Sequence, residues 1–381
     1  MAFTGRAIYD PVGVFEGTAE DVAEEIGMIS PYETPLLDRL TQAERAATNV
    51  LHEWLEEKLN PNTVIATVAA PVGSATDPAT VALNDSAGNA AVRYFMLGHI
   101  FENEATGEQL QLVSKDEVAG LGVLSRGFGG TTAATITAGD NFFAVSDAAL
   151  EGADVDDDIS RPRERKNNYC QIFKKDVIVS GTVQSVRHLG GITDEMGHQR
   201  DMRLRESVRD LEKATIRGIS SGNSIGGASA FRTMDGILNR IATNVTSTAT
   251  LTPEIMNDII KTAWDNGGTD LDLIVADSNF KRIIDRFNET RIDVVNRDER
   301  YHNRISTFES TYGIQEVILD RWMPANSLMV ISTERVSVVP LTGRSFRFVP
   351  VSRTGDADKG MILGEYTVEV KNEEGMAQAA G

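Results

Sequence analysis

Between Thr193 and Ser220, TDEMGHQRDMRLRESVRDLEKATIRGIS, a stripe recurs at steps of four and three through Leu204, Val208, Leu211, Thr215 and Ile219. That spacing predicts one long helix with a narrow packing face, flanked by Arg203, Glu206, Arg209, Asp210 and Lys213. Thr193 or Asp194 caps its first amides, Glu195 suits the positive end of the dipole, Lys213 and Arg217 suit the negative end, and Gly218 and Gly222 mark the exit. With a rise of about 1.5 Å per residue, about 28 residues make a rod of roughly 40 Å, about twice the average globular helix. Such a rod suits a flat, elongated domain, although an ordinary core helix in an α/β enzyme carries the same pattern.

Elsewhere the pattern is broken more often. Residues 1–47 read as an arm with little core of its own, of the kind that lies on a neighbour. Thr18 caps a short helix through Glu25, Pro31 and Pro35 interrupt it, and Leu36, Leu37 and Leu40 form an anchor. In NVLHEWLEEKL, Leu51, Leu55 and Leu59 have helical spacing, yet the Trp54 region and the following NTVIATVAAPV favour extended chain, which is the reading adopted. PVGSATDPATVALNDSAGN reads as a loop. From about 78 to 149, glycines punctuate short apolar runs at Val92–Leu97, Leu110 and Leu112, Leu121 and Val123, and Phe142–Val145, which predicts an inserted small β-barrel or sandwich. Gln171 to Val186 is rich in β-branched residues and reads as a strand pair or bent strand.

After Gly222 the pattern turns α/β. Thr252 and Pro253 open a helix carrying Ile255, Met256, Ile259, Ile260, Ala263 and Trp264. Leu271–Asp277 is a buried strand, followed by a helix with Phe280, Ile283, Ile284 and Phe287 on one face. Further strands are expected at Gln315–Leu319, Ser327–Ser332, Val336–Pro340 and Ile362–Lys371.

Composition changes the picture chiefly through charge. The 381 residues, 41% of them hydrophobic, are enough for two or three domains. Lys plus Arg number 37 against 56 Asp plus Glu, a formal net charge of -19, which argues against tight phosphate-backbone binding and is otherwise read as plain solubility. The single cysteine, Cys170, excludes an intrachain disulfide. No apolar run approaches the roughly 20 residues that span a bilayer, and MAFTGRAIYDPVG lacks a signal-peptide pattern, so the expected location is the cytoplasm or something assembled there, with no membrane partner.

Searching for chemistry gives exclusions. VADSNFK joins strand to helix without G-x-G-x-x-G, and neither RGFGGTT (Arg126–Thr132) nor SSGNSIGGAS (Ser220–Ser229) contains the P-loop lysine. His52, His99, His188, His198 and His302 have no zinc spacing, no G-x-S-x-G elbow occurs, and Cys170 sits in a strand-like run where a buried hydrophobe is the better reading than a nucleophile. In EGADVDDDISRPRERK, Asp154, Asp156 and Asp158 imitate a calcium loop, but Ile159 replaces the required glycine and Arg165 the bidentate Glu. That block is either a solvated loop or one half of a charge-matched contact between subunits. No catalytic, cofactor-binding or metal-ligating residue is assigned, and no cofactor is expected.

The tail RTGDADKGMILGEYTVEVKNEEG (Arg353–Gly375) resembles the closing segment of tailed-phage major capsid proteins with the Hong Kong 97-like fold, where a TGD…K…GEYT-E-NE pattern recurs. HEWLEEKL near His52, NYCQIFKKDVIVSGT (Asn168–Thr182) and RTMDGI (Arg232–Ile237) after the long helix are similar in the same order. The resemblance implies an α+β protein: an N-terminal arm (1–47), an extended loop (48–77 and 150–168), and an inserted all-β domain (78–149) on the outer surface. A peripheral domain (169–234 and 342–381) with its spine helix (193–220) and an axial domain (235–341) complete it. It implies a structural protein, not an enzyme, that forms pentamers and hexamers of an icosahedral head enclosing double-stranded DNA. Expected partners are other copies, a portal, scaffold or cement proteins, and DNA by non-specific proximity. Acidic character on an inner wall would let packed DNA slide. A cellular encapsulin-like nanocompartment and an α/β enzyme with an acidic pocket are the alternatives.

Overall fold

The computed structural model describes residues 33–42, 45–67, 79–85, 88–154, 158–186, 194–220, 226–227, 229–287, 306–353 and 355–381. The expected helix from Thr18 to Glu25 lies outside them, as do Pro31, Asp156, His188, Thr193, Gly222 and His302. The chain divides into two units, Met1–Trp54 with Asn167–Gly381, and Leu55–Lys166.

The chain enters through β1 (Thr41–Gln42) and β2 (Leu51–Glu56). Along β2, Trp54 and Glu56 are buried while Leu55 is 62% exposed, so residue alternation prevails over the helical spacing of the leucines. Six antiparallel strands follow: β3 (Thr63–Ala66), β4 (Ala79–Asn84), β5 (Ile100–Asn103), β6 (Gln109–Asp116), β7 (Leu121–Ser125) and β8 (Asn141–Ser146). They close a barrel in the order β3-β4-β7-β6-β5-β8 around Val64, Val81, Leu83, Phe101, Leu112 and Phe142, all buried.

Two local expectations change here. Ala79–Asn84, inside the stretch read as a loop, is a strand, because Val81 and Leu83 alternate into the barrel. Val92–Leu97, read as a strand, begins as the 3-10 turn Val92–Tyr94, which turns Val92 and Phe95 together into the core. The barrel also draws on Thr63–Ala66, upstream of residue 78. RGFGGTT is a turn held from beneath by a buried ion pair, in which Arg126 Nε and Nη2 each donate to Glu108 at 2.7 Å. The amides of Gly127 and Ala134 donate to the same carboxylate at 3.1 and 3.0 Å. Burial by itself would raise Glu108, but Arg126 and these amides outweigh it and hold the carboxyl below the usual range.

The first unit resumes with β9 (Glu164–Tyr169), which pairs with β2, then β10 (Gln171–Ser180), α1 (Gly181–Ser185), α2 (Glu195–Arg217), α3 (Ile237–Arg240) and β11 (Val245–Ser247). Gln171–Val186 is thus one strand ending in a short helix. Next come α4 (Pro253–Asp265), β12 (Leu273–Ala276), α5 (Ser278–Arg286), β13 (Thr307–Ser310), β14 (Gly313–Leu319), β15 (Ser327–Ile331) and β16 (Val336–Pro340). The chain closes through β17 (Arg347–Val351), β18 (Ala357–Val370) and β19 (Ala377–Ala380).

One sheet runs β1-β16-β18-β10, with β17 also on β18, and α2 packs on β10 and β18. A six-stranded sheet runs β11-β19-β15-β12-β14-β13. Its strand β12 is buried at every position, as its unbroken apolar run requires. One apolar core, including Leu36, Leu211, Ile216, Ile259, Ile274, Val330 and Val368, joins both sheets.

Helix α2 corrects the expected stripe. Its buried residues are Ser207, Leu211, Glu212, Thr215 and Ile216, whereas Leu204 is 40% exposed and Ile219, past the helix end, is 70% exposed. Repeated steps of four drift around a 3.6-residue turn, so the stripe rotates off the packing face at both ends. Asp194 occupies the N-cap position, but its side chain bonds no amide there.

At the other end Gly218 crosses Gly236, whose amide donates to the Gly218 carbonyl at 2.9 Å. A Cβ on Gly236 would lie 2.6 Å from the Gly218 nitrogen and 2.8 Å from the Ala214 oxygen, both rigid backbone. Gly236→Ala is therefore expected to cost ~1–3 kcal/mol by overpacking. Thermal unfolding checks this, and an unchanged transition temperature would show that the two backbones can part freely.

Candidate assembly site

The stretches singled out in the sequence meet around one polar clasp. Asn168, buried at the end of β9, donates through Nδ2 to the carbonyls of Asp235 at 3.0 Å and Val368 at 2.8 Å. Its Oδ1 accepts from the amide of Asp235 at 2.9 Å. Asp235 in turn accepts from the amide of Ser220 and from Asn239 Nδ2, each at 2.7 Å, so the exit of α2 is fixed to the RTMDGI turn. Gln171 accepts the amide of Met234 at 3.1 Å. Arg232 donates to the Cys170 carbonyl and pairs with Glu365 at 3.1 Å, and Arg344 pairs with the same carboxylate at 2.5 Å.

Farther along β18, Glu369 faces His52 at 3.4 Å and Lys371 at 3.3 Å. The hydrogen bond from His52 holds the Glu369 carboxyl below its usual range. Glu373 accepts from the amides of Ala242 at 3.0 Å and Thr243 at 3.2 Å. The Arg240 guanidinium lies 5.7 Å from the Trp54 ring. The clasp therefore ties β2 and β9, the strands through which the chain leaves and re-enters this unit, to the turn after α2 and to the C-terminal strand.

Each letter of GEYT has a physical role. A Cβ on Gly364 would meet the Phe346 ring at 2.5 Å, so only glycine leaves room for that ring. Glu365 is the acid of the clasp. Tyr366 packs 4.8 Å from Phe346 and accepts its amide through the hydroxyl at 2.9 Å. Thr367 is fully buried.

A second cluster lies where Leu36 and Leu37 meet α2. Leu36 and Leu40 are buried in the core and Leu37 packs against it, the anchor expected from sequence. The amides of Leu36 and Leu37 donate to the two oxygens of Glu212 on α2, at 2.8 and 2.9 Å. Asp320, just past β14, accepts the Trp322 amide at 2.7 Å, and its carboxyl lies beside that of Glu212. Both carboxyls have no solvent exposure. Burial, with Asp320 beside it, outweighs the two amides and pushes Glu212 up to about 8, and burial raises Asp320 as well. At neutral pH the pair therefore retains a proton. Sequence reasoning did not single out Glu212, although its position four after Val208 and three before Thr215 places it on the packing side of α2.

The residues weighed for other chemistry stay apart. Among the described residues, no group of three or more His, Cys, Asp or Glu could hold a metal ion. His52 belongs to the clasp, His99 lies between Phe95 and Phe101 at 4.9 and 5.0 Å, and His198 is on α2. Cys170 is buried, and burial pushes its thiol up to about 11, as suits a packing residue. In the charge block, Arg163 pairs with Glu57 at 3.4 Å and Lys166 with Glu164 at 3.2 Å, so part of its basic half is matched within its own unit. Among the described residues no helix is long and apolar enough to cross a membrane.

Exposed apolar side chains stand on outer strands. Ile172 and Ile178 point outward from β10, which ends one sheet, and Val245 does so from β11, which ends the other. The Trp264 and Tyr312 rings lie 5.5 Å apart, tilted by 42°, with Trp264 47% exposed. Apolar surface on strands at the rim of a sheet is what a second copy can cover.

The SU10 major capsid protein family matches residues 10–381. No curated protein matches the sequence. The cyanophage A-1(L) capsid asymmetric unit is similar with a TM-score of 0.51 at 10% identity, over 95% of this chain and 96% of that one. The capsid of Myoviridae phage XM1 is similar with a TM-score of 0.50 at 9% identity, over 95% and 96%. The holo-SrpI encapsulin complex from Synechococcus elongatus PCC 7942 gives 0.42 at 10% identity, over 57% and 75%. At such identities likeness shows the fold alone, and the two phage capsids share it across nearly their whole length. With the long helix α2, the clasped C-terminal strand and a family match from residue 10 to the last residue, this chain belongs to the SU10 major capsid protein family and is a tailed-phage major capsid protein of the Hong Kong 97-like fold.

Proposed function

We propose that this capsid protein closes, as pentamers and hexamers, into an icosahedral head around double-stranded DNA. The observation that carries the reading is the exposed apolar surface on β10 and β11, the outer strands of the two sheets. In the shell those strands face other copies, and many modest contacts act together. Residues 169–234 and 342–381 serve as the peripheral domain, 235–341 as the axial domain, and 48–77 with 150–168 as the extended loop. The barrel stands on the outer surface. A portal occupies one vertex, scaffold or cement proteins assist, assembly takes place in the host cytoplasm, and the acidic inner wall lets DNA slide.

Electron microscopy of purified recombinant protein tests the assembly, with hollow polyhedral shells as the expected result. Only single soluble chains under every condition would refute it. Nuclease-resistant DNA in particles from infected cells is the second expected result, and protein cargo without DNA would point to a nanocompartment.

Asn60 Nδ2 donates to the Ile159 carbonyl at 3.1 Å, so the two ends of the barrel segment lie side by side. Replacing residues 61–158 by a turn of about two residues is expected to leave soluble, shell-forming protein. Deleting only 78–149 would strand Val64 and Ala66 of β3 without β4 and β8, and is expected to cause aggregation. Sedimentation of both variants checks the contrast, and equal solubility would sink it.

A further inference from the structure

Between β10 and the C-terminal half of α2 runs a groove of about 460 Å³ lined by Lys174, Lys175, Lys213 and Arg217, with Asp210 as the acid among them. Lys175 reaches Asp210 at 2.6 Å, Lys213 reaches it at 3.8 Å, and Lys174 reaches Asp176 beside the groove at 3.2 Å. Asp210 is thus the single carboxylate among the groove's lining residues beside four cations, a basic surplus on a chain whose net charge is -19. A surplus of this kind on an acidic protein suits an anionic partner.

The chain itself carries one. From Ala7 to Asp38 no Lys, Arg or His occurs, while Asp10, Glu16, Glu20, Asp21, Glu24, Glu25, Glu33 and Asp38 do. This segment up to Tyr32 lies outside the described residues, and Glu33 is the nearest described residue to it. The Glu33 carbonyl accepts from Trp322 Nε1 at 3.0 Å, and the Lys213 ammonium sits 4.4 Å from the Trp322 ring centre. Lys213 thus touches both the groove and the ring that holds Glu33. The Glu33 carboxylate already pairs with Arg321 at 3.7 Å. The eight steps of chain from Glu33 back to Glu25 can reach at most about 26 Å at ~3.3 Å each, and tethering keeps the local concentration of the acidic stretch high.

We propose that the acidic stretch Glu16–Glu25 docks in the basic groove of its own chain, its carboxylates against Lys174, Lys213 and Arg217. The contact is electrostatic, so it weakens with salt. It makes α2 the support for the acidic stretch as well as for the arm's root.

Zero-length carbodiimide coupling of full-length protein tests this, with light and heavy isotope-labelled subunits mixed before assembly. The expected products join Lys174 or Lys213 to Glu16–Glu25, pair light with light and heavy with heavy, and lose yield severalfold at high salt. Lys174→Glu with Arg217→Glu is expected to speed cleavage after Glu20 and Glu24 by a glutamate-specific protease at least tenfold. Adding Glu20→Lys and Glu24→Lys is expected to restore the Lys213 coupling through the remaining acids. Mixed-isotope products only would place a neighbour's arm in the groove and overturn the proposal, as would absence of products. Coupling that appears only after nuclease removes DNA would assign the groove to nucleic acid and overturn it equally.

Discussion

Glu365→Ala is expected to remove most recoverable folded subunit, at a cost of ~3–5 kcal/mol, the range for breaking a buried ion pair from one side. The Glu365 side chain is 5% exposed and is shared by Arg232, itself 12% exposed, and Arg344. Its removal takes from the enclosed Arg232 guanidinium the carboxylate 3.1 Å away, while the Arg344 side chain, at 36% exposure, can turn to water. Arg344→Ala should accordingly cost far less, ~1 kcal/mol or below, because Glu365 keeps its deeper partner. A domain-sized body is stabilised by only ~5–15 kcal/mol, so the first change removes a large fraction and the second little. Denaturant unfolding of dissociated subunits distinguishes them. Equal and small losses for both variants would mean that the clasp is not what holds β18 to the turn at Arg232.

The same clasp shows what a sequence can and cannot convey. Elements whose period is simple were readable at once: α4 starts on Thr252 and Pro253 as the cap pattern demands, β12 is buried throughout as its apolar run demands, and β16 has the expected bounds. The barrel was legible from glycine turns, yet β4 hid in a run of Ala, Thr and Ser because only Val81 and Leu83 carry its alternation. Asn168 bonds Val368 across 200 positions, and Arg232 meets Glu365 across 133. No local period encodes such pairs. Resemblance marked the four stretches, but only folding shows that their polar residues meet, and that Gly364 is there to admit a ring. Glu212 is the opposite case, since a lone acid on the packing side of a helix was visible and went unweighed.

Raising the pH from about 5 to about 9 is expected to destabilise the junction of Leu36 and Leu37 with α2, and Asp320→Asn to flatten that dependence. Unfolded, Glu212 would titrate near the ordinary 4.5; folded, burial and the neighbouring Asp320 push it up to about 8. Between those values the folded chain holds a proton that the unfolded chain has released. Stability therefore falls as pH rises, by up to ~1.4 kcal/mol per pH unit, with the contribution complete below about 4.5 and lost by about 8. Asp320, also raised, acts in the same direction. An asparagine at 320 keeps its carbonyl oxygen for the Trp322 amide and offers Nδ2 to Glu212, which can then ionise while accepting three N–H groups. Glu212→Gln would instead leave one of the Leu36 and Leu37 amides without an oxygen, costing ~1–3 kcal/mol at every pH. Denaturant midpoints of dissociated subunits across this range, together with proteolysis next to Leu36, check the prediction. Parallel profiles for the native chain and the Asp320→Asn variant would show that no shared proton holds Leu36 and Leu37 to α2.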